Sequence, residues 1–240
     1  MIKQTDCPYY ADSVLGGYLL SYAQAYGTEQ PFLQFYADEN GGQLCLMDGT
    51  ASVVWHEECE ELRWFLSART DIRAIRCSVS LAEQLANDGW EMIVRPVMRC
   101  ETVVSEVCGT VMPSIRELHP FLASVFAEMP PFEEWYVDVS HRVRHDCCRI
   151  SAVENEGAVV ASAMTVAEWD NGAVVGAVAT HPDYRRRGYA AHCVTDLTAT
   201  LQKLGKTVYI CPKNEAAQRL YERLGFVCCD EIALLERKSL

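Results

Sequence analysis

Residues 180–190 read THPDYRRRGYA, a basic, glycine-containing turn set between a strand-like run and a helix-like run. Upstream, Gly176-Ala177-Val178-Ala179 ends an apolar, β-branched segment. Downstream, Ala190, Ala191, Val194, Leu197, Thr198, Leu201 and Leu204 recur at helical spacing, so the turn leads into a helix whose first amides lack an internal partner. The helix dipole favours an anion in front of those amides, and Gly188 lets the backbone approach it closely. Arg185, Arg186 and Arg187 add positive charge. The pattern predicts a cradle for phosphate.

A second segment, residues 214–226, reads NEAAQRLYERLGF. Asn214 and Tyr221 are two helical turns apart and share a face, with the small Ala217 between them, which predicts a slim groove. Taken alone, Asn214 is also a helix cap and Tyr221 a core aromatic.

Composition narrows the function classes. At 240 residues, half of them hydrophobic, the chain can build one large domain or two small ones. Its apolar runs fall short of the roughly 20 residues that cross a bilayer, and the opening MIKQTDCPYY lacks the layout of a secretion signal. The expectation is a cytoplasmic protein with no membrane partner. The 12 cysteines are scattered through apolar segments without any C-x-x-C, which predicts reduced, mostly buried thiols and no metal. A net charge of −12 argues against nucleic acid. It leaves the arginine cluster as a positive island on an acidic surface, which either draws in a cationic acceptor or merely aids solubility.

Along the chain, helices are expected at 11–26, 58–69, 80–87, 115–128, 132–147, a stretch ending near Gly205, and 214–224. Strands are expected at 32–37, 43–48, 51–56, 74–79, after Gly89, at 150–154, 158–166, 173–180 and 207–211, with a final strand pair through Leu235. The segments AIRCSVSLAEQLANDGW and VYICPKNEAAQRLYERLGF share one plan: strand, cap, short helix, glycine, aromatic, strand. This suggests two related lobes, 1–104 and 105–240, joined near Cys108-Gly109. The expected class is α/β (α+β), a mixed sheet with helices on both faces.

The spacing Arg185-x-x-Gly188-x-Ala190, followed in order by residues 214–226, resembles the GNAT acyltransferase superfamily over about the C-terminal half of the chain. The resemblance implies a mixed, mostly antiparallel twisted sheet and acetyl-CoA, or another acyl-CoA, as cosubstrate. It assigns the diphosphate to Arg185, Arg186, Arg187, Gly188, Tyr189 and Ala190, and the pantetheine arm to the backbone of Val178, Ala179 and Thr180. By the same resemblance Asn214 contacts the coenzyme, and Tyr221 protonates or hydrogen-bonds the departing sulfur. Many family members place a glutamate on the strand before the turn, whereas residues 173–179 contain no acid. Glu168 is therefore the first candidate for the general base, with Glu134 and His141 after it.

Residues 135–148, WYVDVSHRVRHDCC, place Asp138, His141, Arg142, Arg144 and His145 on one expected helix. Asp138 and Arg142 can pair there. A glycine N-acyltransferase-like branch, which the chain also resembles, would instead use an arginine for an acceptor carboxylate. The implied activity is transfer of an acetyl or acyl group to a small amine or amino-acid-like acceptor. The alternative is a non-catalytic acyl-CoA-binding or sensing protein.

Overall fold

A computed structural model describes residues 1–6, 13–55, 60–86, 89–105 and 109–238. The chain divides into two units, Met1–Val97 with Cys229–Leu240, and Met98–Cys228. The sequence expectation puts the division at 104/105 near Cys108-Gly109, where residues 106–108 lie outside the described residues, while the passages between the two units, at 97/98 and 228/229, fall within strands.

In the first unit, β1 (Lys3–Gln4) pairs with β2 (Leu33–Ala37), which runs antiparallel to β3 (Gln43–Met47), itself antiparallel to β4 (Thr50–Val54). β5 (Ala74–Ser78) then lies parallel to β4, with α2 (Glu60–Ala68) as the crossover, and α3 (Val79–Leu85) follows. Alternation along β3, β4 and β5 sends Leu44, Leu46, Ala51, Val53, Ile75 and Cys77 into one core with Leu62 and Leu66 of α2 and Leu81 and Leu85 of α3. Helix α1 (Val14–Tyr26), capped by Ser13, packs on β4 and β5.

The second unit repeats this order. β7 (Ile150–Asn155), β8 (Ala158–Trp169) and β9 (Gly172–Thr180) form an antiparallel meander, and β10 (Thr207–Ile210) lies parallel to β9. The crossover is α6 (Tyr189–Lys203), and α7 (Glu215–Arg223) follows β10. One face of this sheet buries Ala161, Ala163, Val175 and Val208 against Cys193, Val194, Leu197 and Leu201 of α6 and Tyr221 of α7. The other buries Ile150, Met164 and Ala179 beneath Leu118, Phe121 and Leu122 of α4 (Ile115–Val125) and Trp135 and Val139 of α5 (Phe132–Arg144). The result is a mixed, mostly antiparallel α/β fold with helices on both faces.

Two strands change unit. β6 (Trp90–Cys100) leaves the first half and pairs Met98 and Arg99 antiparallel with β10. The final segment is one strand, β11 (Phe226–Arg237), rather than the expected pair, and it pairs Ile232–Glu236 with β5. Asp230 and Glu231, both exposed, lie on this continuous strand. No helix among the described residues is long and apolar enough to cross a membrane. Nine described cysteines are free, and Cys45, Cys77, Cys148 and Cys193 are buried. Burial pushes the thiols of Cys77 and Cys193 up to about 12 and that of Cys148 to about 11.

Candidate active site

β9 runs toward the 180–190 turn but does not keep register with β8. Ser162 pairs with Ala179 and Met164 with Gly176, so two residues of β9 oppose one of β8 and a bulge forms at Ala177-Val178. Ala177 accordingly has φ 46°. A bulge removes local groups from the ladder and re-aims the strand. Beyond it, a single 3-10 turn, Pro182–Tyr184, is held by His181, whose Nδ1 accepts the Asp183 amide at 3.4 Å.

The chain next alternates its hand. Arg186 has φ 62° and Gly188 φ 83°, and successive amides in such a conformation converge on a concave anion site. Gly188 is the N-cap of α6 and supplies no side-chain hydrogen bond, so the first amides of a 15-residue helix are left for a ligand. A Cβ at Gly188 would meet no heavy atom within 4 Å. Its role is therefore the left-handed backbone rather than relief of crowding.

These elements wall a cavity of about 670 Å³. Val178, Ala179 and Thr180 line it from β9, Arg185, Arg186 and Gly188 from the turn, and Tyr189 and Ala190 from the start of α6. Tyr221 lines it from α7. Helix α7 forms the opposite wall because Ala216, Ala217, Leu220 and Arg223 recur on one face. Val125, Tyr184 and Arg223 also line the cavity; the sequence reading missed all three. Only the 3.6-residue spacing of 216, 220 and 223 could have indicated Arg223, and nothing local marked Val125.

The remaining candidates lie elsewhere. Arg187 is not among the lining residues. Its Nη2 donates to the Asp183 carbonyl at 3.2 Å, and its guanidinium lies 5.0 Å from the Tyr184 ring centroid. Asn214 caps α7, its Oδ1 accepting the Ala217 amide at 2.9 Å, and is likewise absent from the lining. Glu168 requires a correction. It pairs in register with Ala173, six residues from Ala179 and roughly 20 Å away at the strand rise. Its carboxylate, 2% exposed, pairs with Arg149, lies 3.5 Å from Lys206 Nζ and accepts the Thr165 hydroxyl at 3.3 Å. The β8–β9 hairpin carries it away from the turn, and it is not among the residues lining the cavity.

Glu134 and His141, on α5, do not line the cavity either, and His141 packs against His145 with ring centroids 4.4 Å apart. Arg142 is engaged by Asp138 at 2.8 Å and reaches the Thr165 carbonyl at 3.5 Å. Asp138 and Arg142 thus form the i, i+4 pair on this helix.

An open helix N-terminus carrying cations, a bulged strand and a tyrosine-bearing helix converge on one cavity within Met98–Cys228, and the family comparison falls on the same stretch. Residues 112–226 match the acetyltransferase (GNAT) family. Among solved structures, a GNAT acetyltransferase of Novosphingobium aromaticivorans is 22% identical with TM-score 0.58, over 85% of this chain and 91% of that one. A GNAT-family acetyltransferase of Colwellia psychrerythraea is 16% identical with TM-score 0.62, over 99% and 100%. A tandem GNAT protein from the clavulanic acid biosynthesis pathway, solved without AcCoA, is 13% identical with TM-score 0.55, over 98% of each chain. At these identities the structures establish the GNAT fold alone. No curated protein matches the chain. Among the described residues no group of acidic, histidine or cysteine side chains could hold a metal.

Proposed function

We propose that the protein is an acyl-CoA-dependent N-acyltransferase, with acetyl-CoA as donor and a small amine as acceptor. The supporting observation is the continuity of the cavity: it runs from the uncapped amides of α6, flanked by Arg185 and Arg186, past the β9 bulge to Tyr221. The amides would take the diphosphate. The backbone freed at Val178 would hold the pantetheine arm and polarise the thioester carbonyl.

The amine nitrogen attacks the thioester carbon; a C–N bond forms, the C–S bond breaks, coenzyme A departs as its thiolate, and the proton lost by the amine passes to solvent water. Burial, and then the neighbouring Cys211, push Tyr221 up to about 12, so its hydroxyl stays protonated and donates to the departing sulfur. A thiolate of ordinary pKa ~8.5 is a weaker base than this phenolate. Stabilisation by a hydrogen bond is therefore favoured over complete proton transfer.

Only the second unit is proposed to bind coenzyme. The first has the same strand order and crossover, consistent with a degenerate related lobe, yet residues 55–61 of that crossover read WHEECEE. Four carboxylates and no glycine would repel a diphosphate. Ser78 caps α3 as Asn214 caps α7, and seven residues on stands Leu85 in place of Tyr221.

A non-catalytic acyl-CoA sensor has one observation in its favour: no carboxylate is among the residues lining the cavity. Titration with acetyl-CoA followed by free-thiol release across an amine panel separates the readings. The transferase releases thiol with at least one amine, whereas the sensor binds coenzyme and releases none.

A further inference from the structure

Helix α7 presents two sides to the cavity. At about 100° per residue, Ala217 and Tyr221 share the side packed against the sheet, and Tyr221 is 5% exposed there. Ala216 and Arg223, with Leu220 between them, form a second stripe along the cavity, roughly 10 Å long at the helical rise. Ala216 and Arg223 are exposed, so this stripe is the outer rim. Arg223 follows Tyr221 by about 200° around the helix, and the two side chains diverge.

Arg223 lines this rim with its charge unspent. Arg219, one turn earlier on α7, pairs with Glu215 at 2.9 Å, and Glu222 accepts from Gln218 at 3.0 Å. The position four residues before Arg223 is Arg219, a like charge, so its own helix offers it no acid there. Among the described residues no side-chain hydrogen bond, ion pair or ring contact engages Arg223. A place in the last turn of α7 suits a cation, but that alone does not bring the side chain into the wall of a cavity.

The charges of the proposed ligand supply the missing partner. Coenzyme A carries a diphosphate on the 5′ oxygen of its ribose and a phosphate monoester on the 3′ oxygen. The diphosphate is met by the α6 amides with Arg185 and Arg186, and the Arg185 Nε also donates to the Thr180 carbonyl at 3.4 Å. The monoester, at about −1.5 to −2 charge near neutral pH, is then left without a cation. It hangs from the same ribose as the diphosphate, so it stays close to the α6 mouth, on the side away from the pantetheine arm. Arg223 is the remaining lysine or arginine among the residues lining the cavity.

We infer that Arg223 binds the ribose 3′-phosphate and thereby selects coenzyme A over its 3′-dephospho form. This rests on the acyl-CoA reading above. The planar guanidinium donates to two phosphoryl oxygens at once, which a single point charge does not match. A carboxylate on the acyl group or the acceptor would instead lie beside Tyr221, on the buried side of α7.

The test is calorimetric titration of the full chain, wild type and Arg223→Ala, with coenzyme A and with 3′-dephospho-coenzyme A. The wild type should bind coenzyme A about tenfold or more tighter than the dephospho form, the worth of a charge-assisted contact. Arg223→Ala should lose that advantage: its affinity for coenzyme A falls about tenfold or more, while its affinity for the dephospho form stays within twofold of wild type. The second figure also shows that the variant is folded. No preference in the wild type, an unchanged coenzyme A affinity in Arg223→Ala, or an equal loss with both ligands overturns the inference. So does a wild-type preference for succinyl- over acetyl-coenzyme A that disappears in Arg223→Ala, because it sets the guanidinium at the acyl end. Failure of the wild type to bind either coenzyme instead removes the acyl-CoA reading itself.

Discussion

Lys206 Nζ lies 3.5 Å from Glu168 Oε1, and the buried Glu168 carboxylate is held by this lysine and Arg149, both partly exposed, at the end of the β8–β9 hairpin remote from the phosphate turn. Replacing the buried carboxylate leaves Arg149 and Lys206 without their shared anion, and because both reach solvent the loss is that of charge-assisted hydrogen bonds, about 1.5–3 kcal/mol. Glu168→Gln should therefore lower the denaturant midpoint clearly while leaving the pH–rate profile of the folded enzyme unchanged. A lost acidic limb in that profile would restore Glu168 as the base.

Gly188 carries a positive φ with open space around it. Gly188→Ala should cost about 1–2 kcal/mol of stability from backbone strain alone, and weaken acetyl-CoA binding by more than tenfold because the new methyl stands where the amides meet the diphosphate. Denaturation and calorimetric titration of the same variant check the two parts. A loss of stability with unaltered affinity would place the diphosphate elsewhere.

Tyr221→Phe keeps the ring and removes the donor. The acetyl-CoA Kd should stay within twofold, while kcat falls by about 10²-fold, the lower end for removing a hydrogen-bond donor to developing negative charge. Full turnover by the variant would reduce Tyr221 to a packing residue.

The raised thiols of Cys77, Cys148 and Cys193 and the raised Tyr221 hydroxyl set the alkaline limit of stability. Their unfolded counterparts deprotonate first, near pH ~8.5 to ~10, so the unfolded state binds fewer protons there. Stability is complete below that range and falls as pH rises from about 9 through 12. Denaturation midpoints across this range check it, and a flat profile would contradict the burial of these groups. At neutral pH a thiol reagent should label Cys228 and Cys229, both exposed, well before the buried Cys45, Cys77, Cys148 and Cys193.

The second unit was the more legible in sequence because its signals are local. The βαβ step at 173–210 follows from period, turn residues and cap, and the cradle at Arg185, Arg186 and Gly188 follows from the same lines. Features set by tertiary pairing were not legible. Glu168 is 12 positions from Thr180 in sequence, but the hairpin places it at the far end of the strand. Val125 reaches the cavity only because α4 packs over β9. Gly176 was a local sign of the bulge, but that the positive φ falls on Ala177 beside it was set by the pairing with β8, and whether β11 was one strand or two was settled by its partner β5, far away in sequence.

The central claim, that the open N-terminus of α6 holds a coenzyme diphosphate, is tested most directly by calorimetric titration of acetyl-CoA into the full chain and into the Arg185→Glu, Arg186→Glu double variant. One site per chain is predicted for the wild type, with affinity lowered by at least a hundredfold in the variant. No heat of binding in the wild type, or equal affinity in both proteins, would contradict the account.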